Sequence, residues 1–366
     1  MKDIFNTPLL DAQSLHKHFP IGKTPGLFAR ARGSAGPVPR LHAVDDVTFT
    51  IARGETLGLV GESGCGKSTL VRLLTRLLDL TDGSIQLDGE EIGHLPAKGF
   101  GKSLYRPRIQ MVFQDAGDSL NPRFTAFAAI ADPLRRLKPL PREALKARVE
   151  ELAAMCGLPL ELLGRFPHQL SGGQKARVGI ARAIAVEPDL LILDEPTAAL
   201  DVSVQVVILQ LLDDLKQRLG MSYLFVSHDL NVVRLLCDRV MVMYLGRIVE
   251  TGPAERVFRH PAHPYTRALL SAIPHFDQIK GSDGAASVPR LRISGEPRSP
   301  IDPDPKVCRF HGRCPQGTEA CTQAMPLLQG VGPGHSVACH FPIIDTGIDT
   351  VRADTDEPDS LIEDVA

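Results

Sequence analysis

Residues 61 to 69, GESGCGKST, fit the pattern G-x-x-x-x-G-K-[ST], whose chemistry is phosphate binding. Glycines let successive backbone N–H groups wrap the phosphates, and the positive end of a following helix assists. In this cradle of Gly61, Glu62, Ser63, Gly64, Cys65, Gly66, Lys67, Ser68 and Thr69, Lys67 would reach the β- and γ-phosphates and the Ser68 hydroxyl would ligate Mg²⁺. A second constellation is LLILDEP. Its four apolar residues predict a buried strand, Asp194 at the strand end orients the magnesium and its waters, and Glu195 is placed to polarise an attacking water. A third is the set Cys308, Cys314, Cys321 and Cys339, spaced C-x5-C-x6-C-x17-C. That spacing matches neither the close C-x2-C pairs of most zinc ribbons nor a C-x2-C-x2-C ferredoxin run, so spacing alone does not name a metal. Four thiolates suit a tetrahedral sulfur site. His311 and His340 could replace a thiolate in a zinc site, although solvent-facing roles are the simpler reading of each.

These residues need elements to hold them. HAVDDVTFTI, ETLGLVG and IQMVFQ read as strands and STLVRLLTRLL as an amphipathic helix, so strand, Gly-rich turn and helix open a βαβ unit. Residues 122 to 185 read mostly helical. LLILDEP, SYLFVSHD and RVMVMYLG then supply short apolar strands separated by helices such as VSVQVVILQLLDDLKQRL, which implies a mostly parallel sheet with helices on both faces. Residues 21–40 are rich in Gly, Pro, Ala and Arg and read as an exposed basic loop. Composition shifts to Gly, Ser, Pro and Asp from about residue 275, marking a linker. The terminal DTGIDTVRADTDEPDSLIEDVA holds eight acids against one base and reads as disordered. The organisation expected is therefore a main domain over 1–274, a cysteine-bearing region over 275–345 and an acidic tail over 346–366.

Bulk composition constrains the rest. The 366 residues are 43% hydrophobic and 23% charged with a formal net charge of −2, ordinary globular values that give no global electrostatic reason to expect nucleic acid as a partner. The N-terminus lacks a basic stretch followed by an apolar one, and no run of eighteen apolar residues occurs, so the chain reads as cytosolic. In a reducing compartment a clustered cysteine set reads as metal-binding rather than disulfide-bonded.

LSGGQ, Leu170 to Gln174, followed by KARVGIARAIAVEP, separates this chain from other phosphate-loop proteins. It resembles the signature motif of ABC transporter nucleotide-binding subunits. Gln114 in MVFQD resembles the Q-loop glutamine at the magnesium, AALD ending at Asp201 the D-loop, and His228 in FVSHD the switch histidine; Phe19 lies where the family stacks an aromatic on adenine. The resemblance implies an ABC nucleotide-binding fold: a phosphate-loop NTPase core with a mostly parallel sheet, an antiparallel β subdomain and a helical signature subdomain. It implies ATP and Mg²⁺ as ligands, with Ser171, Gly172, Gly173 and Gln174 serving the γ-phosphate bound by an opposite subunit. With Glu195 and His228 present, the site is expected to hydrolyse ATP. Ala176 stands where many members carry Gln, a departure expected only to tune the signature helix.

HPAHPYTRALLSAIP and GHSVACHF resemble the C-terminal region of the oligopeptide and dipeptide importer ATPases, a subgroup that also serves nickel, glutathione and related solutes. LHKHFPI followed by a basic loop resembles one of the two paired ATPases of those systems. The resemblance therefore implies two membrane permeases, a sibling ATPase in a heterodimer, a solute-binding protein acting indirectly and a place at the cytoplasmic face of the bacterial membrane. In members with this cysteine pattern the four cysteines hold a four-iron four-sulfur cluster, with zinc as the alternative. A soluble ABC ATPase of DNA repair or the ribosome is the competing class. About a hundred residues separate Ser68 from Ser171 without heptads, and a single nucleotide domain is present, neither of which suits it.

Overall fold

Strand residues alternate between two cores. In the computed structural model, which describes residues 7–22, 38–114, 117, 119–273, 293, 295–296 and 299–344, strand β7 (Leu190–Asp194) is buried throughout. Leu190 and Ile192 join one apolar cluster while Leu191 and Leu193 join another, as period-two side chains must when both faces of a sheet are covered. β8 (Ser222–Val226) and β9 (Arg239–Tyr244) divide in the same way.

The elements preceding β7 are β1 (Leu10–Pro20), β2 (Arg40–Ile51), β3 (Thr56–Val60), α1 (Lys67–Leu74), β4 (Asp82–Leu87), β5 (Glu90–Glu91), α2 (Ala97–Phe100), β6 (Ile109–Val112), α3 (Ala126–Leu137), α4 (Arg142–Met155) and α5 (Gly172–Ile184). After β7 come α6 (Val202–Leu219), β8, α7 (Leu230–Leu236), β9, β10 (Arg247–Pro253), α8 (Ala254–Arg259), α9 (Pro264–Ser271), α10 (Ala320–Gln323), β11 (Gln329–Gly332) and β12 (His335–Val337). A four-stranded antiparallel sheet runs β2-β1-β4-β5, and an eight-stranded sheet runs β11-β12-β10-β9-β3-β8-β7-β6. Pairings among β6, β7, β8, β3 and β9 are parallel, so their carboxyl ends lie along one edge, where a doubly wound sheet places its ligand.

Two sequence expectations meet a different structure. The helix read across STLVRLLTRLL stops at Leu74: the Thr75 hydroxyl donates to the Val71 carbonyl, Arg76 takes φ +53°, and the Leu77 and Leu78 amides both fold back to Arg72 O. Arg40, placed in the loop, is the first residue of β2; residues 23–37 of that loop lie outside the described residues, as do most of the linker and the acidic tail. The cysteine region shares the main core. β12 pairs with β10, Phe310 is 1% exposed within the larger cluster, and its ring sits 5.2 Å from Tyr244 and 5.5 Å from Tyr265. Among the described residues no helix is long and apolar enough to cross a membrane.

Candidate functional site

The phosphate loop joins β3 to α1 at the carboxyl edge of the sheet. Its backbone demands glycine: Gly61 and Gly66 take φ +155° and +113°, and a Cβ on either would sit 2.2 Å from a carbonyl oxygen, Met243 O or Ala43 O. Gly66 is the N-cap of α1, so the first free amides of that helix face the loop. Lys67 is 7% exposed and donates to Gly61 O at 2.7 Å and Glu62 O at 3.0 Å. These acceptors are neutral carbonyls, and the ammonium keeps its charge for an anion.

An open cleft of about 400 Å³ lies over this loop, lined among others by Phe19, Ser63, Lys67, Ser68, Thr69, Gln114, Glu195 and His228. Glu195 Oε2 accepts from Gln114 Nε2 at 2.9 Å and lies 3.2 Å from His228 Nδ1, so residues from the ends of β6, β7 and β8 meet at one carboxylate oxygen. Glu195 also carries φ +48°, a left-handed backbone whose N–H donates to Val226 O at 2.9 Å. Asp194 is buried beside it. Desolvation, and next the Glu195 charge, push its carboxyl above the usual range, while Lys67 and Arg72 pull the other way. A carboxyl destabilised in this manner is ready for a cation.

The remaining predicted residues stand elsewhere. Ser171 caps α5: its Oγ accepts from Gln174 N at 3.3 Å and Gln174 Oε1 accepts from Ser171 N at 2.9 Å, a reciprocal box on an exposed turn outside the cleft. Gly172 and Gly173 let that turn approach Leu200 and Val204; a Cβ on Gly173 would lie 2.7 Å from Val204 Cγ1. Asp201 caps α6, accepting from Val204 N at 2.9 Å, the bond that most depresses its carboxyl. Ala176 is 3% exposed in the core, where a longer polar side chain would need a partner.

Sequence reasoning missed what braces the loop. The Glu62 carboxylate faces Arg313 at 2.8 and 3.1 Å, and Glu62 N donates to the buried Tyr265 hydroxyl at 2.8 Å. Arg313 also reaches Tyr244 OH at 3.3 Å. Since Arg313 immediately precedes Cys314, the cysteine region leans directly on the phosphate loop. Partners 251 residues apart leave no local signal in the sequence.

The four cysteines are free and converge, each thiol within electrostatic reach of the other three. Burial raises Cys308, Cys314 and Cys339, the last to about 11. The amides of Phe310 and His311 point at the Cys308 sulfur, that of Gln316 at Cys314 and that of Phe341 at Cys339, and each offsets part of that rise. His340 Nε2 is taken up by Ala324 O at 2.7 Å.

Comparison with known proteins adds the following. The family described as ABC transporter matches residues 44–198, and the oligopeptide/dipeptide transporter C-terminal region matches residues 249–321. The oligopeptide transport ATP-binding protein AppF of Bacillus subtilis is 43% identical over 333 residues, 91% of this chain and 97% of its own length. The dipeptide transport ATP-binding protein DppF of Escherichia coli is 44% identical over 333 residues, 91% and 94% of the two lengths. The ATP-binding cassette MJ0796, solved as a dimer in a post-hydrolysis state with ADP and Pi, superposes with a TM-score of 0.58 at 28% identity, over 67% of this chain and 98% of that one.

Proposed function

Because the chain belongs to the ABC transporter ATP-binding proteins of the oligopeptide/dipeptide class, we propose that it is the ATP-hydrolysing subunit powering a peptide importer. The observation that carries this is the separation of two anion cradles. The loop at α1 shares its cleft with Lys67, Glu195 and His228, whereas the Ser171 turn at α5 stands exposed outside that cleft. One triphosphate cannot use both on one chain, so the Ser171 turn serves the nucleotide of an opposing subunit. A sibling ATPase in a heterodimer is the partner proposed. The names carried by the relatives favour peptides over nickel, glutathione or a non-transport role.

In the mechanism, Lys67 and the loop amides hold the β- and γ-phosphates and Phe19 offers its ring to the base. Ser68, Asp194 and Gln114 would hold Mg²⁺, which neutralises charge on the transferring phosphoryl group. Glu195 takes the proton of the attacking water, and His228 and Gln114 fix its carboxylate. Closure assembles the site and phosphate release lets the subunits part, a ligand-driven population shift able to do mechanical work on a membrane partner. A groove of about 540 Å³ between Leu77, Lys102, Phe113, Pro133 and Arg182, whose guanidinium donates to Ser119 O at 2.7 Å, is proposed to receive a permease loop at the cytoplasmic face of the membrane.

The cysteine set fits a multi-atom centre. One zinc ion draws its thiolates to about 3.8 Å of one another, yet no three of these sulfurs lie within 4.8 Å. Backbone amides near three of the sulfurs could donate to cluster thiolates and tune them. We assign Cys308, Cys314, Cys321 and Cys339 to a four-iron four-sulfur cluster whose role is structural or regulatory, since ATP hydrolysis transfers no electron. Anaerobically purified protein is expected to be brown and to carry iron and acid-labile sulfide, both lost in Cys314→Ser; a colourless preparation with one zinc would overturn this. For transport, the chain reconstituted with its permeases and sibling should import labelled dipeptide only with ATP, and ATP-dependent uptake of Ni²⁺ but not peptide would overturn the substrate class.

A further inference from the structure

At the junction of β1 and β2, three imidazoles turn toward one carboxylate. His16 and His18 lie two apart on β1 where its register against β2 is irregular, and both imidazoles reach Asp45 of β2. Asp45 Oδ1 lies 3.3 Å from His16 Nδ1, 3.8 Å from His18 Nε2 and 3.7 Å from His42 Nδ1. The ligand atoms of His16, His18 and Asp45 all fall within 4.8 Å of one another. His42 stacks on His18 with ring centroids 3.8 Å apart.

Two features point to a missing ligand. His18 Nε2 and His42 Nδ1 are buried and have no hydrogen-bond partner, although both face the carboxylate. An unmade bond at a buried polar atom costs about 1–3 kcal/mol. The separations themselves are the second feature. Bonds of about 2.0–2.1 Å from a tetrahedral first-row ion to nitrogen and oxygen put neighbouring ligand atoms roughly 3.3–3.4 Å apart. The separations of 3.3 and 3.8 Å from Asp45 Oδ1 to His16 Nδ1 and His18 Nε2 lie within about 0.5 Å of that spacing.

We propose that His16 Nδ1, His18 Nε2 and Asp45 Oδ1 bind a divalent transition-metal ion of the zinc, nickel or cobalt class, with His42 packed against His18 and a coordination position left for water. The other carboxylate oxygen, Oδ2, is held by Arg309 and lies 3.7 Å from Arg247, an arrangement that aims Oδ1 at the imidazoles as outer partners of a metal ligand do. The positive charges near the site, Arg247, Arg309 and Arg40, offset the carboxylate, so neutral imidazoles must supply the affinity and soft-to-borderline ions are preferred over Mg²⁺. Phe19 follows His18 directly, and Leu41 and Ala43 flank His42 on the wall of the cleft, so the ion would clamp the strand pair that carries the base platform.

Calorimetric titration of the full chain with Zn²⁺ tests the proposal by difference. Wild type is expected to bind one more equivalent than His16→Ala, or to bind that equivalent at least about tenfold more tightly. Both proteins keep all four cysteines, so the difference counts this site alone. Equal stoichiometry and affinity would overturn it. A second measurement needs no variant: Zn²⁺ should protect His16 and His18 from diethyl pyrocarbonate, read by mass spectrometry of the peptides. Modification at the same rate with and without Zn²⁺ would overturn the site as well.

Discussion

The N-termini of α1 and α5 are built from the same device and finished in opposite ways. Each starts at a glycine-rich turn that presents free amides to an anion. At α1 the turn is enclosed: Gly66 approaches Ala43, Lys67 is buried, Glu62 is clamped by Arg313, and three strand ends deliver Glu195, Gln114 and His228. At α5 the turn satisfies itself through the Ser171–Gln174 box and faces outward. The contrast teaches that an anion cradle becomes a reaction site only when distant strands bring charge and a base to it. In the proposed function the incomplete cradle is the surface that receives another subunit's nucleotide.

The comparison breaks hardest at Lys67. Lys67→Ala removes the buried cation from the phosphates, and ATP affinity measured with a fluorescent nucleotide should fall by about 4 kcal/mol, roughly a thousandfold. Retained affinity would mean that the loop amides suffice at α1 as they would at α5.

Acid tests the scaffold behind α1 next. His263 is fully buried, and its Nδ1 accepts from Tyr265 N at 3.0 Å in the helix that places the Tyr265 hydroxyl on Glu62. Burial holds its pKa at about 4 against an ordinary 6.5. Between those values the unfolded chain takes a proton that the folded chain refuses. The contribution is therefore complete above pH 6.5 and is lost as the pH falls toward 4, up to about 3 kcal/mol. His263→Asn should flatten the urea midpoint against pH across that window.

Arg313→Ala is expected to cost less, about 1–2 kcal/mol of stability, and a double-mutant cycle with Glu62→Gln should return a coupling of about 1 kcal/mol. At the other terminus Ser171→Ala removes a cap worth about 1 kcal/mol to α5. ATP binding by the isolated chain should stay within about twofold, with the loss confined to ATP-driven closure with the sibling subunit.

The sequence made the α1 cradle legible because its constraints are local: glycines where φ is positive, a lysine one residue on, and an apolar strand ending in Asp194–Glu195. The boundaries of α6 were equally open to reading, with Asp201 as cap and Gly220 at φ +65°. What stayed hidden was long-range pairing. Nothing near residue 62 announces Arg313, nothing near β10 announces β12, and the His16-x-His18 pair acquires meaning only when the fold brings Asp45 of β2 against it. The early end of α1 was hidden for another reason: the apolar period continues through Leu77 and Leu78 after the backbone has turned at Arg76.

The central claim is that Glu195 performs hydrolysis in a site completed by a second subunit, and Glu195→Gln tests it most directly. In the complex with permeases and sibling, the variant should bind ATP as the wild type does, accumulate the closed nucleotide-bound state, and lose turnover at its own site by about 10²–10⁴-fold. Because the proposed sibling would carry a phosphate loop of its own, turnover is read with that loop disabled. Wild-type turnover by Glu195→Gln under those conditions would contradict the account.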